Sequence, residues 1–256
     1  KHIYTHGDAA AAEAMLAEID GGHRLLVTDA VFSMDGDSAP LAALADAAAA
    51  HDAWLMVDDA HGLGVFGRDG AGRVAEAGLD SAAVPVLTAT LGKSVGAAGA
   101  FVAGDGDVIE AILQTARSLI FSTAMPAAVV AAARRGIAII RDEPEHQARL
   151  HELVARFKAG AKAAGITVAA SDSPIQPVIV GDERAALALS DALLARGYLV
   201  GAIRPPTVAP GTSRLRITLS AAHSASNVDG LIAALGAAWQ EMQTAADSRE
   251  HDLRTI

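Results

Sequence analysis

The chain has 256 residues, enough for one to two domains at about 150 residues each. It carries 20 Lys and Arg against 30 Asp and Glu, a formal net charge of −10 that disfavours non-specific binding to a phosphate backbone. Hydrophobic residues make up 52% and aromatics only 4%, so a core of Ala, Val, Leu and Ile is expected and wholesale disorder is excluded. With no cysteine, disulfides, thiolate metal sites and cysteine nucleophiles are ruled out together.

In chain order, apolar runs alternate with helical patterns. Residues 24–28 follow Gly21-Gly22 and read as a buried strand. Residues 41–51 are alanine-rich with Leu41, Leu44 and Ala48 at helical spacing, and Pro40 stands at the start, where its missing N–H costs nothing. Residues 54–57, 84–88 and 99–103 read as three more strands. Uniformly apolar strands separated by helices predict a parallel sheet covered on both faces. Helices are expected around residues 108–113 and 126–140.

The polar, proline-containing stretch 141–144 marks a domain boundary, giving a large domain over 1–143 and a small one over 144–242. The second half mixes helices at 145–164, 183–196 and 227–242 with short strands at 167–169, 176–180, near Leu199 and at 215–219, an α+β style. Residues 243–256 read as a polar, unpatterned tail. No apolar run reaches the roughly 18–20 residues of a membrane span, and no signal-peptide pattern opens the chain, so a soluble, cytoplasmic protein is expected. Lys1-His2-Ile3-Tyr4 is not an obvious domain start, and four strands make an incomplete parallel sheet; the chain reads as the later part of a longer polypeptide.

Four fragments could carry chemistry. Asp58 ends an apolar strand and His61 follows in the next turn, at the strand end where open α/β sheets hold ligands; a helix cap beside a surface histidine explains the fragment equally well. Thr90 and Lys93 flank Gly92 after another strand, and a partly desolvated lysine there permits Schiff-base chemistry, although a lone lysine is most often an ordinary surface residue. Ser33 opens the turn Ser33-Met34-Asp35-Gly36-Asp37 between strand and helix. Arg214 and Arg216 alternate on a strand, which puts both on one face, and a strand-held arginine can grip a carboxylate with two parallel hydrogen bonds. A lysine for an imine, an aspartate for a ring nitrogen, hydroxyls for a phosphate and an arginine for a carboxylate together suit pyridoxal phosphate.

The segments VFSMDGDSAPL, WLMVDDAHGLGVFG, TLGKSVGAAGA, FSTAMP, IQPVIVGD and AIRPPTVAPGTSRLRITLSAAH resemble, in this order, the α-oxoamine synthases. The resemblance runs from about Val27 to Met242 and implies the aspartate-aminotransferase fold (fold type I), α/β with a largely parallel sheet domain and a smaller α+β C-terminal domain. It implies pyridoxal 5'-phosphate as cofactor and a homodimer with the active site at the subunit interface. Lys93 resembles the family's imine-forming lysine, Asp58 the partner of the pyridine nitrogen and His61 the histidine on the cofactor's phenolic oxygen. Ser33 and Thr90 match positions that hydrogen-bond cofactor oxygens, Thr207 and Arg216 positions that contact substrate. Ser122 and Thr123 resemble a segment that approaches the phosphate of the other subunit. The Arg204-Pro205-Pro206-Thr207 segment is most similar to members that condense L-alanine with a pimeloyl thioester in biotin biosynthesis, the thiol carried by coenzyme A or an acyl carrier protein.

Other readings stay open. One is a member that acylates glycine, of the glycine C-acetyltransferase or 5-aminolevulinate synthase type; another is a truncated, non-catalytic member. Residues 62–67 match GxGxxG after a strand, but a dinucleotide site needs that motif to open a helix, and Arg68-Asp69-Gly70 reads as a turn. His2 and His6 have the spacing of a helical metal pair without a third ligand.

Overall fold

The computed structural model describes the backbone of residues 1–253 and side chains through residue 244. The chain divides into two compact units: Lys1–Phe32 with Ser38–Gln147, and Ser33–Asp37 with the chain from Ala148 onward. The second unit therefore takes a five-residue segment from within the first half of the sequence.

The first unit opens with α1 (Ala9–Ala17), capped by the Asp8 carboxylate accepting the Ala11 amide at 2.9 Å. Its sheet has the order β1 (Arg24–Asp29), β2 (Ala53–Asp58), β3 (Val86–Thr90), β4 (Ala100–Gly104). The first three strands are parallel and β4 runs antiparallel to β3, so the sheet is largely parallel, as expected. The β3–β4 connection spans only residues 91–99, too short for the helical crossover that a parallel partner needs. Between β1 and β2 lies α2 (Leu41–Ala50), and α1 and α2 pack together over one face of the sheet. Leu26, Leu44, Leu55 and Val57 are buried there. On the other face Leu25, Val27 and Trp54 are half exposed, so this chain does not cover both faces as its apolar strands predict.

After β2 the chain turns through residues 59–72, including a 3₁₀ turn at Arg68–Gly70, into the short α3 (Arg73–Glu76). After β4 come α4 (Gly106–Thr115), α5 (Arg117–Ile120) and α6 (Ala127–Asp142). Of these helices' residues, Ala133 alone is buried, and Leu113, Leu119, Ile120, Val130 and Ile137 stand exposed with Phe121 between them.

The second unit contains most of α7 (Glu145–Ala163), then β5 (Ile175–Gly181), α8 (Glu183–Ala195), β6 (Gly201–Ile203), β7 (Ser213–Thr218) and α9 (Ala225–Leu253). Its antiparallel sheet has the order β5-β7-β6, with Phe157, Val178, Leu193, Leu215 and Leu235 in the core. Residues 167–169 form no strand; Val168 makes an isolated bridge to Val178. The last helix continues to Leu253 rather than ending at Met242, because Gln, Glu, Ala and Arg sustain a helix without an apolar stripe. Residues 254–256 of the expected tail lie outside the described residues.

Candidate active site

The carboxyl ends of β1, β2 and β3 carry Asp29, Asp58 and Thr90. Asp29 and Asp58 are register partners on adjacent parallel strands. Side chains in register share a face, so the two carboxylates are neighbours. Burial, and then the charge of Asp58, raise the Asp29 carboxyl above its ordinary range, while Lys93 pulls it the other way. Asp29 is a group that the sequence reading missed. The signal was available: Thr28-Asp29 ends β1 just as Val57-Asp58 ends β2.

Asp58 Oδ1 accepts the Ala60 amide at 2.9 Å, and this Asx turn starts the bend that presents His61. His61 Nε2 lies 2.8 Å from Lys93 Nζ. Lys93 itself stands in the turn between β3 and β4, where the Gly96 amide donates to the Lys93 carbonyl at 3.0 Å. Thr90 fixes the start of that turn: its Oγ1 accepts the Gly92 amide at 3.1 Å and donates to the Gly99 carbonyl at 3.2 Å. Within the first unit, then, the structure brings Lys93, His61 and the Asp29–Asp58 pair into one electrostatic neighbourhood.

Asp59 behaves differently from Asp58. It is only 2% exposed, and burial pushes its carboxyl up to about 6 against the opposing pull of the Val74 and Arg73 amides. Its Oδ2 accepts the Val74 amide at 3.3 Å.

Ser33, Thr207 and Arg216 belong to the second unit. Ser33 follows the end of β1 by four residues rather than closing the strand. Arg216 Nε donates to the Ser33 carbonyl at 2.7 Å and Nη1 to Thr218 Oγ1 at 3.2 Å; burial lowers its guanidinium below the ordinary range. Those contacts use two of the five N–H donors of the fork. Arg214, two residues away on β7, is buried and pairs with Asp35, also donating to the Met34 and Thr212 carbonyls. The same-face expectation for these arginines is met, and the turn at 33–37 is what they hold. Thr207 is exposed in the loop between β6 and β7, its amide donating to the Arg204 carbonyl at 3.1 Å. Ser122 donates to the Leu119 carbonyl at 2.7 Å, and Ser122 and Thr123 are exposed.

Two other sequence motifs find no chemistry. Residues 1–6 are not helical, so His2 and His6 are not presented on one helix face; His6 packs on Phe32 with ring centroids 4.1 Å apart. Residues 62–67 form turns and open no long helix, as a dinucleotide site would require.

A lysine-bearing turn at the end of a mostly parallel sheet, beside a histidine and strand-end acids, marks an α/β fold with polar groups gathered where such sheets hold ligands. The chain belongs to the aminotransferase class I and II family, whose model matches residues 2–235. It is 54% identical over 233 residues to an 8-amino-7-oxononanoate synthase of Alkalilimnicola ehrlichii, covering 91% of this chain and 60% of that protein. The serine palmitoyltransferase of Sphingomonas wittichii superposes with a TM-score of 0.90 at 30% identity, over 94% of this chain and 61% of that one. The 8-amino-7-oxononanoate synthase of Francisella tularensis shares the fold with a TM-score of 0.77 at 24% identity, over 90% of this chain and 67% of that one. The chain thus spans about 60% of the length of the curated relative it matches.

Proposed function

We propose that this chain carries the lysine-bearing part of a pyridoxal-phosphate-dependent acyltransferase. The reaction joins L-alanine to a pimeloyl thioester and gives 8-amino-7-oxononanoate, carbon dioxide and the free thiol carrier. The observation that carries the reading is the Lys93–His61 contact of 2.8 Å beside the strand-end acids. The relatives that share over half of the aligned residues bear the corresponding name.

A pyridine aldehyde phosphate asks for a primary amine, a carboxylate for its ring nitrogen, and hydroxyl or amide donors for its oxygens. The residues of the first unit fit: Lys93 would offer the amine, Asp58 the carboxylate and His61 an imidazole, while the Thr90 hydroxyl, bonded to the Gly99 carbonyl and the Gly92 amide, shapes the turn that carries Lys93. When bound, the cofactor supplies an aldehyde for imine exchange and an electron-poor ring that accepts the charge left by a broken bond at the amino acid's α-carbon. With the cofactor bound, the Lys93 amine would be the group placed to take up the proton from the amino acid's α-carbon. Asp58, a fixed anion, would hold the cofactor's ring nitrogen in its protonated form. His61 orients Lys93 through their hydrogen bond. In the second unit Arg216 is assigned to the amino-acid carboxylate and Thr207 to a further substrate contact.

The exposed apolar side chains of α4 to α6 support a homodimer as the working form, and a cytoplasmic location accords with the chemistry. Among the described residues, no helix is long and apolar enough to cross a membrane.

An absorbance titration tests the assignment. The chain mixed with pyridoxal phosphate is expected to gain the visible band of a lysine imine, and Lys93→Ala to gain none. A wild-type chain without the band, or a Lys93→Ala chain with it, would refute the reading. With the band in place, L-alanine and a pimeloyl thioester are expected to release thiol.

A further inference from the structure

Asp59 is a buried carboxylate that the proposed chemistry leaves unused. Its neighbour Asp58 points its carboxylate at the Ala60 amide in the bend toward His61, whereas Asp59 is folded into the loop behind it. The two ends of that loop close on the Asp59 carboxylate. A Cβ built on Gly62 would lie 1.8 Å from Asp59 Oδ1, and one built on Gly72 would lie 2.2 Å from Oδ2. Only glycine at both positions leaves room for the carboxylate, and Gly72, at φ +99°, has a backbone shape that favours glycine on its own account. From the far end the Val74 amide at the start of α3 donates to Oδ2 at 3.3 Å. The backbone of Asp59 works in the same place: its carbonyl accepts the Gly62 and Leu63 amides, each at 3.0 Å, and its amide donates to the Thr88 carbonyl of β3 at 2.8 Å.

Residue 61 lies inside this closure. The turn that carries it starts at Asp59, and the first residue after it, Gly62, abuts the carboxylate. A side chain that fixes Gly62 on one side and the Gly72–Val74 corner on the other fixes the direction in which His61 leaves the backbone. That direction decides whether Nε2 reaches Lys93 at hydrogen-bond distance. A shift of one ångström at the turn would lengthen a 2.8 Å contact beyond useful range.

We propose that Asp59 is a positioning residue: its buried carboxylate, gripped between Gly62 and Gly72 and accepting the Val74 amide, sets the turn that holds His61 against Lys93. The role rests on the reading of Lys93 and His61 as cofactor-binding groups, and it acts through hydrogen bonding rather than through contact with substrate. An isosteric amide that keeps one acceptor oxygen therefore preserves it, and a methyl group does not.

The test compares Asp59→Ala and Asp59→Asn with the wild-type chain in two readouts. One is the imidazole proton resonance of His61, assigned by its loss in His61→Gln and followed without any cofactor. The other is the affinity for pyridoxal phosphate, read from the imine band. Asp59→Ala is expected to move or broaden the His61 resonance and weaken cofactor binding about tenfold, the size of one lost hydrogen bond; Asp59→Asn is expected to restore both. If Asp59→Ala does not fold, Asp59→Ser, too short to reach the Val74 amide, is read in its place. An unchanged His61 resonance in a folded variant whose melting temperature alone falls would overturn the proposal. A wild-type chain that binds no pyridoxal phosphate would end the functional reading, while the His61 resonance would still decide the role of Asp59.

Discussion

Lys93 Nζ and His61 Nε2 lie 2.8 Å apart, although they stand 32 positions apart in the sequence with α3 and β3 between them. An ammonium can donate to that nitrogen only while it holds no proton. Acid that protonates His61 therefore sets two cations face to face and opposes the contact. Replacing His61 by Ala is expected to leave the imine detectable, since Lys93 remains, but to lower turnover by roughly 100-fold, because Lys93, the group that takes the proton, loses the partner that orients it. Steady-state thiol release alongside the absorbance titration measures both; full turnover in His61→Ala would remove the histidine from the site.

Asp59 makes stability depend on pH in a definite direction. Its folded carboxyl is raised from 3.8 to about 6, so the folded chain keeps its proton where the unfolded chain has lost it. The stability this contributes is complete below pH 4 and is lost as the pH rises through about 6, a total of about 3 kcal/mol. Asp59→Asn cannot lose a proton. Denaturant unfolding at pH 4.5 and 7.5 is expected to show the variant gaining on the wild type at the higher pH, and equal differences at both would contradict the burial of a charge there.

Arg214 is 6% exposed and faces Asp35 from β7, so it needs its anion. Removing that partner leaves a buried guanidinium supported only by its carbonyl contacts. Because Asp35 is itself half exposed, the cost of Asp35→Ala is expected at about 1–3 kcal/mol rather than the value for a fully buried pair. A fall in the denaturant midpoint at unchanged slope checks it.

Arg216 offers a contrast on the same strand. Its assignment to a substrate carboxylate predicts that Arg216→Lys raises the KM for L-alanine by about tenfold or more, because a lysine cannot form the paired hydrogen bonds of the fork. The affinity for pyridoxal phosphate is expected to stay the same. Equal losses in both would place Arg216 in the support of the Ser33 turn instead, through its 2.7 Å bond to the Ser33 carbonyl.

Much of the candidate site was legible because its residues stand at the ends of strands that announce themselves. Trp54-Leu55-Met56-Val57 reads plainly as a strand, although Trp54 turns out half exposed, and Asp58 follows it directly. Lys93 stands out by the Thr-x-x-Lys turn after an equally plain strand. The antiparallel course of β4 was harder to read, since direction is decided by the length of the connection and not by the apolar pattern. Asp29 was passed over because a single acid at a strand end is unremarkable until the register sets it beside Asp58.

Composition and hydrophobic spacing were enough to determine an alanine- and leucine-cored α/β protein, with an acid, a histidine and a lysine delivered at successive strand ends. Those are local properties: each depends on a few neighbouring side chains and their period. Tertiary structure alone decided that His61 meets Lys93, that the turn at Ser33–Asp37 folds with β7, and that Asp59 is sealed behind the loop while Asp58 faces out of it. Two adjacent aspartates look alike in a sequence. What separates them is which one the backbone turns away from water, and that depends on glycines ten residues apart closing on the same carboxylate.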